Sequence, residues 1–164
     1  MKNFRNPAWV RLVVFSCLLC CANARLPAAE PFGPDLLPGL WQQVDDASGR
    51  TQALVRIDRV EAGLYRGIVE KYIPAEGEDP NPKCEQCRDR RRNQPVIGMQ
   101  IIEGLKRVGE NVYEQGTILD PDEGTVYRLK IEVMEKGAKL DVRGYVGISL
   151  FGRSQTWPRN PQVR

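Results

Sequence analysis

The sequence predicts an all-β protein: an eight-stranded antiparallel up-and-down barrel with one long loop at about 73–95. Three observations carry the prediction. Short apolar or alternating runs recur from Leu40 almost to the end of the chain, no stretch sustains the 3.6-residue period of a long helix, and turn signals separate most neighbouring runs by hairpin distances. Eight hairpin-linked strands in an open sheet would leave two unpaired edges, and closing the sheet removes both.

The elements follow in order. Lys2, Arg5 and Arg11 precede the apolar run Leu12–Cys21, which ends in Ala22-Asn23-Ala24, a small-x-small cleavage pattern. Residues 1–24 therefore read as a secretory signal, too short to span a hydrocarbon core that needs about 20 apolar residues as a helix. Val14-Phe15-Ser16-Cys17 makes only a poor lipoprotein site. Residues 25–38 hold four prolines and no sustained period, and read as a flexible leader. Strands are expected at about 40–44, 52–59, 63–72, 96–105, 111–119, 125–134, 138–146 and 148–157, within a domain at 39–158 followed by a tail at 159–164.

The clearest alternation is Tyr127, Leu129, Ile131 and Val133 against Arg128, Lys130 and Glu132, the pattern of a half-buried antiparallel strand. Leu140, Val142 and Val146 alternate with Asp141, Arg143 and Tyr145 in the same way. Asp45–Gly49, Asp120–Gly124 and Lys136-Gly137 supply turns. Glycines inside the strand readings, Gly104 and Gly144 among them, offer bends for curvature. A barrel of this size is either filled by its own side chains or holds one small ligand.

Composition excludes more than it suggests. The 164 residues contain no histidine, which removes Ser-His-Asp and Cys-His triads, His-ligated zinc and every imidazole base. Lys2, Arg5 and Arg11 account for the whole excess of 24 basic over 21 acidic residues, so the chain beyond residue 24 is charge-balanced. Sequence-independent phosphate binding needs a cationic surplus, and no nucleic-acid partner is expected. No integral membrane span is expected in the mature chain.

Three of five cysteines lie in the signal, leaving Cys84 and Cys87, and export favours a disulfide between them. A redox dithiol would sit at a strand-to-helix junction, whereas Arg88-Asp89-Arg90-Arg91-Arg92 leads to another strand. A closed zinc site needs four ligands and two are present. Neither metal nor cofactor is expected. The four-residue disulfide loop contributes about 2 kcal/mol by loop entropy, so it orders its surroundings more than it holds the domain.

The same loop carries Glu76, Glu78 and Asp79 in front and Arg88, Arg90, Arg91 and Arg92 behind. Internal neutralisation is the plain expectation; an anion patch of forked guanidinium groups is the sharper one. The carboxylate pairs Asp45/Asp46 and Asp120/Asp122 lie in turn-rich segments, where Asp is favoured by local backbone hydrogen bonds rather than by glycosidase geometry.

Gly39-Leu40-Trp41 resembles the G-x-W signature of lipocalins, in which the tryptophan closes one barrel end beneath an arginine from near the last strand. Arg153 or Arg159 could be that arginine, and Arg153 is the favoured one. The set Gly77–Pro82, Cys84-x-x-Cys87, Ile118–Pro121 with Gly124, and Val142–Trp157 resembles the exported bacterial proteins of domain-of-unknown-function family 2147. The resemblance implies a lipocalin-like barrel in the periplasm or secreted fraction of a Gram-negative bacterium. It implies no established activity and no catalytic residues.

The resulting expectation is an exported, non-enzymatic barrel that binds a small apolar or amphipathic ligand. Trp41, Tyr127, Leu129, Ile131, Arg153 and Trp157 are the candidate ligand-binding residues. A filled barrel that docks an envelope protein is the alternative, and enzyme activity is least supported.

Overall fold

The structure, a computed structural model, describes residues 32–161. The signal segment 1–24 and the first part of the leader lie outside the described residues. Eight strands follow one another: β1 Gly39–Val44, β2 Thr51–Arg59, β3 Leu64–Tyr72, β4 Gln100–Arg107, β5 Val112–Asp120, β6 Thr125–Met134, β7 Lys139–Tyr145 and β8 Gly152–Pro158. Each pairs antiparallel with its neighbours in sequence order, as expected of hairpins. β1 lies beside β8, where Trp41 bridges Arg159 and the Asn160 N–H donates to the Leu40 carbonyl at 2.8 Å, so the sheet nearly closes on itself.

Two bulges help to curl it. Tyr65 and Gly67 of β3 face Leu105 and Ile102 of β4, so three steps on β4 answer two on β3. Gly104, at φ +67°, takes up the extra residue in a conformation that costs glycine little. On β5, Tyr113 and Gly116 likewise face Ile131 and Leu129 of β6, with Gln115 at φ +67° inside the bulge. Each bulge restores inward parity after a bend, which keeps Leu105 and Tyr113 in the lumen.

Turns β2–β3, β4–β5 and β6–β7 gather at one end, which is shut. Trp41, Leu129, Ile131, Leu140 and Trp157 are fully buried in the core, with Val55, Ile57, Tyr65, Leu105 and Tyr113 beside them. Beneath them lies a segment expected to be a flexible leader. Residues 32–38 are instead held against the barrel: Leu37 is fully buried, and Asp35 accepts hydrogen bonds from the Tyr65 and Tyr113 hydroxyls at 2.6 and 2.7 Å. The Arg107 guanidinium donates to the carbonyls of Phe32, Gly33 and Pro34. Pro34 and Pro38 keep this segment out of regular secondary structure, but they leave carbonyls free for a guanidinium to collect.

The tail expectation changes for the same reason. Arg159 and Asn160 belong to the barrel: Asn160 is buried at 8% exposure and Arg159 stacks on Trp41.

The other end carries turns β1–β2 and β5–β6, the long loop and the β7–β8 loop. The long loop runs from residue 73 to 99, because Val96 and Met99 pack into the core rather than starting β4. It is ordered. The Cys84 N–H donates to the Gln94 carbonyl, the Asn93 N–H to the Cys84 carbonyl, and the Val96 N–H to the Pro82 carbonyl. Cys84 and Cys87 form the expected disulfide, with Cα atoms 5.4 Å apart. It rests on the β5–β6 turn, where a Cβ on Gly124 would fall 2.1 Å from the Gln86 carbonyl oxygen.

The last strand begins later than its pattern suggests. β7 ends at Tyr145, and residues 146–151 form a loop, leaving Val146 65% exposed instead of facing the core with Leu140 and Val142.

Candidate functional site

Inward parity decides which side chains face the lumen, and height along the barrel axis decides which of them a ligand could touch. Toward the shut end, large side chains fill the interior. Toward the open end, the inward positions on β7 and β8 hold Gly144 and Gln155, which are too small or too polar to complete the core. What they leave is a cavity of about 220 Å³. Ile101, Ile118, Tyr127, Val142 and Trp157 form its apolar wall, Gln43 and Gln155 its polar side and Phe151 its lip, and the charged Asp120, Glu123 and Arg153 also line it. A cavity of about 150 Å³ holds benzene, and drug-sized ligands take roughly 300 Å³ or more. This one suits a single ring system or a short apolar chain.

The polar groups around it are partly engaged. The Trp157 indole N–H donates to Gln155 Oε1 at 3.1 Å. Tyr127 OH donates to Glu123 Oε2 at 2.9 Å, and that bond, with some burial, raises the phenol above its ordinary value. Asp122, in the adjoining turn, is also raised, by burial first and then by the carboxylates of Asp120, Glu78 and Glu123. The turn expectation for the paired aspartates holds. Asp45 Oδ1 accepts from the Ser48 N–H and hydroxyl, and Asp120 Oδ1 accepts from the N–H groups of Asp122 and Glu123. No group of three metal-ligating side chains occurs among the described residues.

The predicted site residues divide. Tyr127, Trp157 and Arg153 line the cavity, whereas Trp41, Leu129 and Ile131, buried in the core like Trp157, do not reach it. The arginine over Trp41 is Arg159, its guanidinium 4.0 Å from the ring centroid. Arg159 donates to the carbonyls of Leu36, Pro38 and Gly137. Arg153 sits six residues nearer the open end, 68% exposed, and pairs with Asp46 at 2.8 Å across the β1–β8 seam. The choice of Arg153 for the closure is thus corrected. Both arginines share the inward parity, and only height separates them.

The four-arginine patch is not assembled either. Arg90 and Arg91 face Glu103 of β4 at 2.8 and 3.6 Å, and Arg91 also holds Asp89, whose carboxyl it lowers to about 2. Arg88 and Arg92 are exposed. Neutralisation occurs, but by Glu103 and Asp89 rather than by the loop's own acidic front. Glu78 pairs instead with Arg50 and accepts from Tyr72.

Gln43, Ile101, Ile118, Val142, Gly144 and Gln155 were not among the predicted site residues. A signal for two of them was present: Gln155 alternates with Trp157, and the Asp120–Gly124 turn sets Ile118 opposite Tyr127. Ile101 could not be found this way, because the register shift between Gly67 and Ile68 breaks the simple alternation.

The barrel is similar to that of protein HP1028 from the human pathogen Helicobacter pylori, described as belonging to the lipocalin family. The TM-score is 0.66 at 19% identity, over 77% of this chain and 84% of that one. At such identity the likeness shows the fold alone. No curated protein matches the chain. The family described as uncharacterized proteins conserved in bacteria, DUF2147, matches residues 39–159, nearly the whole barrel, and the chain belongs to that family.

Proposed function

We propose that this protein is an exported carrier that holds one small apolar or amphipathic molecule in the open half of its barrel. The observation that carries the reading is the 220 Å³ cavity with an apolar wall and two carboxamides, Gln43 and Gln155, on one side. Gln155 uses its carbonyl oxygen on Trp157, so its NH₂ group is the donor left for a ligand. Binding would come mainly from apolar burial, with the carboxamides fixing orientation. The filled-barrel alternative describes only the shut half.

Native mass spectrometry of the protein isolated from its own cells, followed by extraction of whatever copurifies, tests the reading directly. A site-specific check uses 1-aminoanthracene as a neutral fluorescent probe. A Cβ on Gly144 would meet Tyr127 and Ile118 at ordinary contact distances of 3.5 to 3.8 Å, so Gly144→Leu can be accommodated and projects into the cavity. We expect at least a tenfold loss of probe affinity with the fold retained. Undiminished binding would place the probe elsewhere and defeat the carrier reading.

Export is supported by the basic, apolar and small-residue order of residues 2–24 and by the Cys84–Cys87 bond. Protein taken from the cell envelope should show no thiol labelling before reduction and two labelled cysteines after it. Two thiols reactive from the start would contradict both the disulfide and the compartment.

A further inference from the structure

We propose that the β7–β8 loop, residues 146–151, is a docking tip that seats the open end of the barrel on a phospholipid bilayer. Val146, Ile148, Leu150 and Phe151 are 65, 57, 79 and 75% exposed, the largest apolar exposures in the described protein. Four such side chains within six residues are more than the scattered surface hydrophobes of an ordinary domain.

The exposure is built, not accidental. Arg143 reaches out from β7 and donates to the carbonyls of Ser149 at 2.7 Å and Leu150 at 3.3 Å, while Arg128 reaches the Gly147 carbonyl at 3.5 Å. Backbone bonds from Val146 to Phe151 and from Phe151 to Ile148 close the loop. The arginines brace the backbone from its polar side and leave the four apolar side chains largely open to solvent.

Size and charge favour a bilayer over a protein partner. Four side chains on a six-residue loop fall short of the about 800 Å² and 20–30 residues per partner typical of a stable protein interface. A bilayer demands no matching surface: it takes Leu and Phe below the headgroups and arginines at headgroup depth. Neither Arg128 nor Arg143 has a carboxylate partner among the described residues, so both charges are available to anionic phosphates. Asp120 and Glu123 line the same mouth as Val146 and Phe151, so the two arginines, not the rim as a whole, carry the attraction to phosphates. Val146 and Phe151 also line the cavity mouth, so docking would set that mouth against the acyl region. This docking does not require the cavity to be loaded, and its test reads partition rather than occupancy.

The experiment is cosedimentation of the protein, isolated from its own cells, with phosphatidylethanolamine–phosphatidylglycerol vesicles, compared with the Leu150→Ser/Phe151→Ser variant. Both carry the same N-terminus, so any difference belongs to the loop. We expect at least a tenfold loss of partition in the variant, an unchanged unfolding midpoint, and weaker binding of the parent to pure phosphatidylcholine. Equal partition of the two proteins, or no binding by the parent, would overturn the proposal. So would a parent dimer that the variant abolishes in sedimentation velocity, which would make the loop a face between copies. Independently, Phe151→Trp should gain emission that is blue-shifted on the vesicles and quenched by lipids brominated on the upper acyl chain; no added quenching over the parent would also overturn it.

Discussion

Trp41→Ala will cost the barrel about 4 kcal/mol in urea unfolding, a large part of the 5–15 kcal/mol that holds a domain of this kind together. The ring is fully buried, its N–H donates to the Leu37 carbonyl at 3.0 Å, and the Arg159 guanidinium lies on its face. Truncation leaves a void beneath a charge that is itself partly buried. Burial already pushes Arg159 below its ordinary value, so losing the π-face removes one of its few compensations. Water entering the void would then reach the carbonyls of Leu36, Pro38 and Gly137 that Arg159 now holds. Trp41→Phe keeps an aromatic face but leaves the Leu37 carbonyl without its donor, and should cost about 1–2 kcal/mol. A loss below about 1 kcal/mol for the alanine variant would mean that this end of the barrel is not closed by the Trp41–Arg159 stack.

Asp35→Ala should have the next largest effect, about 3 kcal/mol, because it strands two buried hydroxyls at once. The Tyr65 and Tyr113 rings meet edge to face with centroids 5.2 Å apart, and both hydroxyls converge on the one carboxylate. Bonds of 2.6 and 2.7 Å to an ionised acceptor are in the short, charge-assisted range. If the cost comes from unpaired hydroxyls, adding Tyr65→Phe and Tyr113→Phe to Asp35→Ala will recover part of it. If those additions make matters worse, the hydroxyls have other partners.

The pair also predicts an alkaline limit. Burial first, then the hydrogen bond to Asp35, raises both phenols well above the ordinary tyrosine value of about 10. A raised folded-state value means that the folded protein holds protons that the unfolded chain releases. The contribution is therefore fully present below pH 10 and lost as pH climbs above it. With two such groups the slope reaches about 2.7 kcal/mol per pH unit at its steepest. Urea midpoints measured from pH 9 to 11 should fall accordingly, and the Tyr65→Phe/Tyr113→Phe protein should show a flatter profile.

Much of the fold is readable in local patterns. The period of two over Tyr127–Val133 fixes which face of β6 is buried, and the glycine- and aspartate-rich turns fix that β6 pairs with β5. The cysteine count, once the signal is set aside, leaves a single pairing, and Cys84–Cys87 forms. The candidate site was only half readable. Tyr127 and Trp157 reach the cavity, while Leu129 and Ile131, on the same inward face of β6, lie too deep. Residues 146–151 misled the strand reading because apolar side chains in a strand-like run look the same whether they face a core or leave the protein altogether.

Strand number, hairpin order, inward parity and the disulfide are local properties, carried by neighbours a few residues apart along the chain. The shut end is different in kind. Asp35 meets Tyr113 across 78 positions, Arg107 meets Phe32 across 75, and Arg159 meets Leu36 across 123. Such contacts exist only after the sheet has curled, because curling sets the height of each residue along the barrel axis. Parity cannot report height, so only the folded barrel could choose Arg159 over Arg153, turn a proline-rich leader into a plug, and leave the cavity at Gly144 and Gln155.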